Sequence, residues 1–319
     1  MTNANGPGRL IYGCMGLGGP WDGTTYGTSE IDQAAAVIEA ARGIGIGLFD
    51  HADIYRSGKS EAVFGEVLAR SQGLREEITL QTKCGIRLGE RGLQTHYDLS
   101  RDAILERVTE SLKRLQTDYV DVLLLHRPDP LTDAREVADA VGQLMAEGKV
   151  RQLGVSNMSG AQIAYLQDVL ETPIVANQLE MSLLRSDWLE STVLVNHPGD
   201  SGYSFPHGTL EHCMANGIEL QAYGSLAQGR YTGAKSGELS PAESATATML
   251  EQLAGAHGTT PEAVLLGWLM KHPARISPVV GTTSPARIAA CADAAVVAKD
   301  MTRAEWYGLW VTARGHNLP

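Results

Sequence analysis

Short apolar runs rich in β-branched residues alternate along this chain with longer stretches whose apolar positions recur every three or four residues. That alternation is the pattern of a repeated strand–helix unit. It predicts strands over Leu10–Leu17, Ile46–Asp50, Ile78–Lys83, Tyr119–His126, Gln152–Ser156, Ile174–Gln178, Ile218–Tyr223 and Ile276–Val280. Helices are expected over Glu30–Arg42, Ser60–Ser71, Arg101–Leu115, Asp133–Glu147, Gly160–Val169, Gly208–Ala215, Pro261–Lys271, Pro285–Val297 and Arg303–Ala313. Ser100 and Thr260 read as helix entries, the latter followed by proline at the first helical position. Gly43, Gly73, Gly148 and Gly217 fall where helices should stop.

Most of these strands do not alternate apolar with polar residues, so they are expected to be buried on both faces. Eight of them, with a helix after nearly every one, predict a closed (β/α)₈ TIM barrel within the α/β class. The competing open, doubly wound sheet would show G-x-G-x-x-G after an early strand, and the glycines of 13–19 and 43–47 do not have that spacing. Without a low-complexity linker, residues 1–319 read as a single domain. Two connections are long, Leu183–His207 and Ala227–Ser244, and long barrel loops at the carboxyl end of the strands shape or cap a pocket.

Composition narrows the class. With 26 Lys and Arg against 37 Asp and Glu, the formal charge is −11, and the acidic residues are dispersed. Neither nucleic acid nor an anionic membrane surface is an expected partner, and an anionic ligand would need a local positive site. Cys14, Cys84, Cys213 and Cys291 are too sparse for a disulfide framework, which favours a reducing compartment. The first residues lack a basic stretch followed by an apolar run, and no segment nears the ~20 apolar residues of a membrane span. A cytoplasmic location is the expectation.

Barrel chemistry sits where strands end, and polar groups end these apolar runs. Asp50 ends IGLFD, Lys83 ends ITLQTK, His126 ends YVDVLLLH, Ser156 and Asn157 end QLGVSN, and Gln178 lies in IVANQLE, with Tyr55 five residues beyond Asp50. A strand-end Asp or Lys is often only a solvated cap; four complementary groups on consecutive strands are harder to dismiss. A neighbouring ammonium favours phenolate, so Lys83 would ease proton release from Tyr55, Asp50 would hold Lys83, and His126 would polarise a carbonyl oxygen beside Tyr55. His197, His207 and His212 match no zinc spacing and read as loop histidines. Cys84 and His51, each next to a candidate group, are expected to face away from it.

These motifs resemble the aldo-keto reductases, of the bacterial type with a short C-terminal tail. GIGLFDHADIYRSGKSEAVFGEVL at Gly45–Leu68 looks like the family signature, with Asp50, Ala52, Tyr55, Glu61 and Gly65 in register, and LQTKCG, DVLLLHRPDP, GVSN and ANQLEMS follow in family order. The resemblance implies reduction of an aldehyde or ketone, a small carbonyl substrate, by hydride transfer from NADPH. Tyr55 would be the general acid, Lys83 and Asp50 would tune it, and His126 would orient the substrate. It further implies that Ser156, Asn157 and Gln178 hold the nicotinamide carboxamide and that Tyr223 stacks on the ring. AYGSLAQG, with Gly224, Ser225, Leu226 and Gly229, resembles the pyrophosphate loop. PVVGTTSPARIAAC, with Gly281, Thr282, Thr283, Ser284 and Arg287, resembles the 2′-phosphate site. Gly281 and Cys291 replace the lysine and asparagine of many relatives, so NADPH (NADP+ in the reverse direction) is favoured by one retained cation, with NADH the second candidate. The alternative function is a dinucleotide-binding regulatory subunit of the same fold with little turnover. Trp21, Trp188 and Tyr97 are candidate aromatics at the mouth.

Overall fold

The computed structural model describes residues 9–89, 94–199, 202, 204–233 and 237–319; positions 200, 201, 203 and 234–236 of the two long loops lie outside it. Eight parallel strands close into a barrel: β1 (Ile11–Gly13), β2 (Leu48–Asp50), β3 (Thr79–Cys84), β4 (Val120–Leu125), β5 (Val150–Ser156), β6 (Ile174–Glu180), β7 (Glu219–Tyr223) and β8 (Ser277–Val280). Each pairs with its sequence neighbours, and β1 pairs with β8 to complete the ring. The predicted barrel is therefore observed. All eight strands lie at the expected places, although β1 ends at Gly13 and a 3-10 turn takes Cys14–Gly16.

Side-chain alternation along the strands sorts the residues into two layers. On β3, Leu80, Thr82 and Cys84 turn out toward the helices, while Gln81 and Lys83 turn into the barrel. Inside, Ile11, Leu48 and Val279 form one small apolar cluster, and Val122, Leu124 and Ala176 another. The main core lies between barrel and helices.

Several elements depart from expectation. A helix at Pro241–His257 has a thin stripe of buried Thr246, Leu250, Leu253 and Ala254. The Leu183–His207 loop contains a helix at Asp187–Val193. The stretch expected as one helix over Pro285–Val297 breaks into Pro285–Ala289 and Ala294–Asp300; the break frees the Ala290 carbonyl, which accepts from the Thr260 hydroxyl at 2.5 Å. Ile86–Arg87 and His96–Tyr97 form a short antiparallel pair.

The last helix, Arg303–Arg314, is tied down by indoles. Trp268 and Trp306 stack at 5.3 Å and exchange Nε1–H···O bonds of 3.0 Å, while Trp310 and Arg314 both donate to buried Glu190 on the loop helix. Trp188 is fully buried in this cluster, 5.7 Å from Trp268, and so does not stand at the barrel mouth.

Gly65 sits where the helix Lys59–Arg70 crosses the end of Arg101–Leu115, and an added Cβ would lie 2.2 Å from the Arg114 carbonyl oxygen. Because backbone cannot yield as a side-chain tip can, Gly65→Ala is expected to cost about 1–3 kcal/mol of unfolding free energy. A urea titration measures it; an unchanged midpoint would contradict that packing.

Candidate active site

Burying an ammonium inside a barrel is costly unless its donors are met. Lys83, 1% exposed, meets Asp50 Oδ1 and Oδ2 at 2.8 and 2.7 Å, the His51 carbonyl at 2.9 Å and the Tyr55 hydroxyl at 3.0 Å. Burial pulls Lys83 down, but Asp50 and Tyr55 outweigh it, and the ammonium titrates above its ordinary value. Burial pushes Tyr55 up, and Lys83 draws it back only in part. Lys83 acts on the phenol in the expected direction, but burial outweighs it, so at neutral pH Tyr55 holds its proton.

His126 lies edge-on to Tyr55, ring centroids 6.0 Å apart. Burial, followed by Lys83 and Arg127, holds its imidazole well below the usual range, so the ring is neutral. Its Nδ1 is buried with no hydrogen-bond partner among the described residues.

The chain positions Tyr55 with a tight turn. Arg56, Ser57 and Gly58 all adopt left-handed backbone, at φ 52°, 58° and 88°, and the first two are unusual for residues with side chains. Arg56 secures the turn by donating to the Met15 carbonyl at 3.0 Å and lying 5.1 Å over Trp21. Lys59, which follows Gly58, donates to the carbonyls of Pro20 and Asp22, fixing the loop that carries Trp21.

Below the site runs a buried amide chain that sequence reading missed. Gln81 and Gln221 exchange N–H···O bonds of 2.8 and 3.0 Å; Gln81 also donates to Asp50 at 2.6 Å, and Gln178 donates to Gln221 at 3.0 Å. The signal was available: Gln81 and Gln221 sit in apolar strand runs, where a buried amide must find partners. With its Nε2 committed below, Gln178 keeps its side-chain oxygen, Oε1, for the cavity.

One cavity of about 830 Å³ gathers Asp50, Tyr55, His126, Ser156, Asn157, Gln178, Tyr223, Gly224, Ser225, Leu226, Gly229, Gly281, Thr282, Thr283 and Arg287. Trp21, Arg56, Arg127 and Glu180 line it too. Lys83 lies beneath the wall, and Ser284, which immediately precedes the helix Pro285–Ala289, is outside the lining. The polar wall is internally bonded: Ser156 donates to the Gln178 carbonyl, Asn157 Nδ2 to Ser156 Oγ, and Tyr223 to Asn157 Oδ1. The Ser225 hydroxyl is spent on the Val279 carbonyl at 2.7 Å, stitching its loop to β8. A second cavity of similar volume opens at the other end of the barrel, and none of the sequence-predicted site residues lines it.

The neighbours point as expected. Cys84 is buried and its thiol is pushed up by burial. His51 packs edge-on to Phe64 on the outer side, with Nδ1 3.4 Å from Ser60 Oγ. Of the loop histidines, His212 instead stands on the helix Thr209–Ala215. Cys291 is fully buried and cannot reach a ligand.

A profile of the aldo/keto reductase family matches residues 9–306. The chain is 36% identical over 316 residues to a 6-dehydroglucose reductase of Agrobacterium fabrum, covering 97% of this chain and 95% of that protein. It is 36% identical over 317 residues to an uncharacterized oxidoreductase of Bacillus subtilis, covering 98% and 96%. Its fold matches that of the glycerol dehydrogenase of Gluconobacter oxydans at a TM-score of 0.80, with 23% identity, 98% of this chain and 93% of that one covered.

Burial, with Lys83 adding to it, lowers His51 to about 3, and burial lowers His272 to about 4. The unfolded chain takes up these protons near pH 6.5 and the native chain does not, so stability falls on acidification below pH 6.5, by about 1.4 kcal/mol per pH unit for each histidine. Asp53, raised to about 7 chiefly by burial, acts with the opposite sign. Comparing His51→Gln with the parent isolates the first contribution: urea unfolding between pH 7 and 5 should show a shallower loss in the variant, and equal slopes would contradict a buried neutral His51.

Proposed function

Because the chain belongs to the aldo/keto reductase family, and is thus an oxidoreductase of carbonyl groups, we propose that it reduces an aldehyde or ketone to an alcohol with Tyr55 as proton donor and NADPH as cofactor. The observation that carries this reading is the Lys83 ammonium held between Asp50 and the Tyr55 hydroxyl at the foot of the cavity.

The Tyr55 oxygen accepts from Lys83, so its own proton is free to point into the cavity and meet a carbonyl oxygen. When that proton leaves, the phenolate is born 3.0 Å from a fixed ammonium, which lowers the barrier without reorganisation. His126 helps from the side. A proton on its buried Nδ1 would be a donor without an acceptor, a costlier state than a bare nitrogen; the neutral ring therefore carries its proton on Nε2, ready to donate to the same oxygen. A bound reduced nicotinamide would supply the hydride to the carbonyl carbon.

The residues present fit that cofactor. Gln178 offers a free amide oxygen to a carboxamide N–H, Ser156 and Asn157 border it, and Tyr223 supplies an aromatic wall. Gly224, Ala227, Gln228 and Gly229 all have left-handed backbone, giving the tight turn a phosphate-covering loop needs. An added Cβ on Gly281 would meet only the Gly13 carbonyl oxygen, at 3.9 Å, leaving room above the backbone. Arg287 pairs with no carboxylate among the described residues; its guanidinium donates to Thr232 Oγ1 at 3.4 Å, so a 2′-phosphate would complete its bonding. The sugar aldehyde in the name of the Agrobacterium relative makes small polar aldehydes the first substrates to try. A complete set of Asp50, Tyr55, Lys83 and His126 favours the enzyme over a regulatory subunit.

Tyr55→Phe should lower kcat for NADPH-dependent aldehyde reduction by roughly 100-fold or more while cofactor binding persists. Undiminished turnover, read as loss of NADPH absorbance, would remove Tyr55 from proton transfer. Arg287→Ala should raise KM for NADPH by about tenfold or more and change that for NADH little; equal changes would contradict the 2′-phosphate placement.

A further inference from the structure

Besides Arg56, whose guanidinium donates to the Met15 carbonyl and lies over Trp21, two arginines line the same cavity without a carboxylate partner among the described residues: Arg287 and Arg127. They cannot serve one anion. Arg127 follows His126 directly after β4, Arg287 lies beyond β8, and in the closed eight-strand order these strands are four places apart in either direction, on opposite sides of the ring. If Arg287 meets the cofactor's phosphate, Arg127 faces something else.

Its surroundings say what. Arg127 is half-buried, adjoins His126 in sequence and lies beside the Tyr223 hydroxyl. It lines both the main cavity and a smaller one of about 340 Å³ beneath the 204–209 loop. Glu180, the carboxylate on both walls, is 3.8 Å from Arg185 and forms no ion pair with Arg127. A partly desolvated guanidinium without a counter-charge is an unfinished interaction. On a chain of charge −11, it is also the local positive site that an anionic ligand needs.

We infer that Arg127 is the substrate-reading cation of this site, and that the preferred substrate is a short carbonyl compound carrying an anionic oxygen group, carboxylate or phosphate, a few bonds from the carbonyl. The inference rests on the reductase reading and adds the substrate class. Arg127 forms a two-pronged bond to the anion while Tyr55 and His126 hold the carbonyl oxygen, so the substrate is fixed at both ends.

Matched pairs test it: butanal against succinate semialdehyde for the carboxylate, and glyceraldehyde against glyceraldehyde 3-phosphate for the phosphate. The readout is the ratio of kcat/KM for the charged to the neutral member, with NADPH saturating. In the parent enzyme at least one pair should favour the charged member by roughly tenfold or more; whichever pair does so identifies the anion. Arg127→Met should collapse that ratio toward one and Arg127→Lys should restore part of it. A ratio near or below one for both pairs in the parent, as for an enzyme of neutral polyols, overturns the inference, as does a ratio that survives Arg127→Met. In either case turnover of butanal or glyceraldehyde leaves the reductase reading standing, whereas no turnover of any of the four aldehydes overturns that reading and this one with it.

Discussion

A single buried ammonium organises this molecule's working end. Lys83 cannot be solvated inside the barrel, so the fold must bring it a carboxylate, a carbonyl and a hydroxyl, and these are Asp50, His51 and Tyr55. Each partner is placed by a different device. Asp50 ends β2 with its side chain inward; the His51 carbonyl follows from that strand's exit; Tyr55 is held by the left-handed turn at Arg56–Gly58. Removing one partner would leave a charge without compensation, so the arrangement is fixed as a unit.

The amides beneath carry the same logic across the barrel. Asp50 spends one oxygen on Gln81 as well as on Lys83, and Gln81 is locked to Gln221, which takes the proton donor of Gln178. A continuous chain of buried hydrogen bonds therefore links the carboxylate that steadies Lys83 to the amide that borders the opposite wall of the cavity. Such networks specify geometry only when every member is satisfied, and here every link lies between 2.6 and 3.0 Å.

Much of this was legible in the chain. Strand placement followed from apolar runs, and Asp50, Lys83 and His126 stood out because each ends one. What was hidden has physical reasons. The helix Pro241–His257 buries only four of its residues and gives little periodic signal, though its Ser240–Glu243 capping box was readable. Trp188 looked like a loop aromatic, but its surroundings are set by Trp268 and Trp306, distant in sequence. The direction of the Tyr55 shift depends on burial, a tertiary quantity. Gln81 and Gln221 announce buried amides by their apolar strand runs, but that they pair with each other shows only once the barrel sets them face to face, and Arg127 shows its meaning only once its lack of a carboxylate can be seen.

The account stands on the coupling between Lys83 and Tyr55, and an ultraviolet difference titration reads it directly. Subtracting the Tyr55→Phe spectrum from that of the parent isolates ionisation of the Tyr55 phenol, and the same subtraction in a Lys83→Met background reads it without the ammonium. The phenol should ionise at a pH higher by roughly 1–3 units once Lys83 is gone. A phenol that titrates at the same pH in both backgrounds, or more readily without Lys83, would contradict the account.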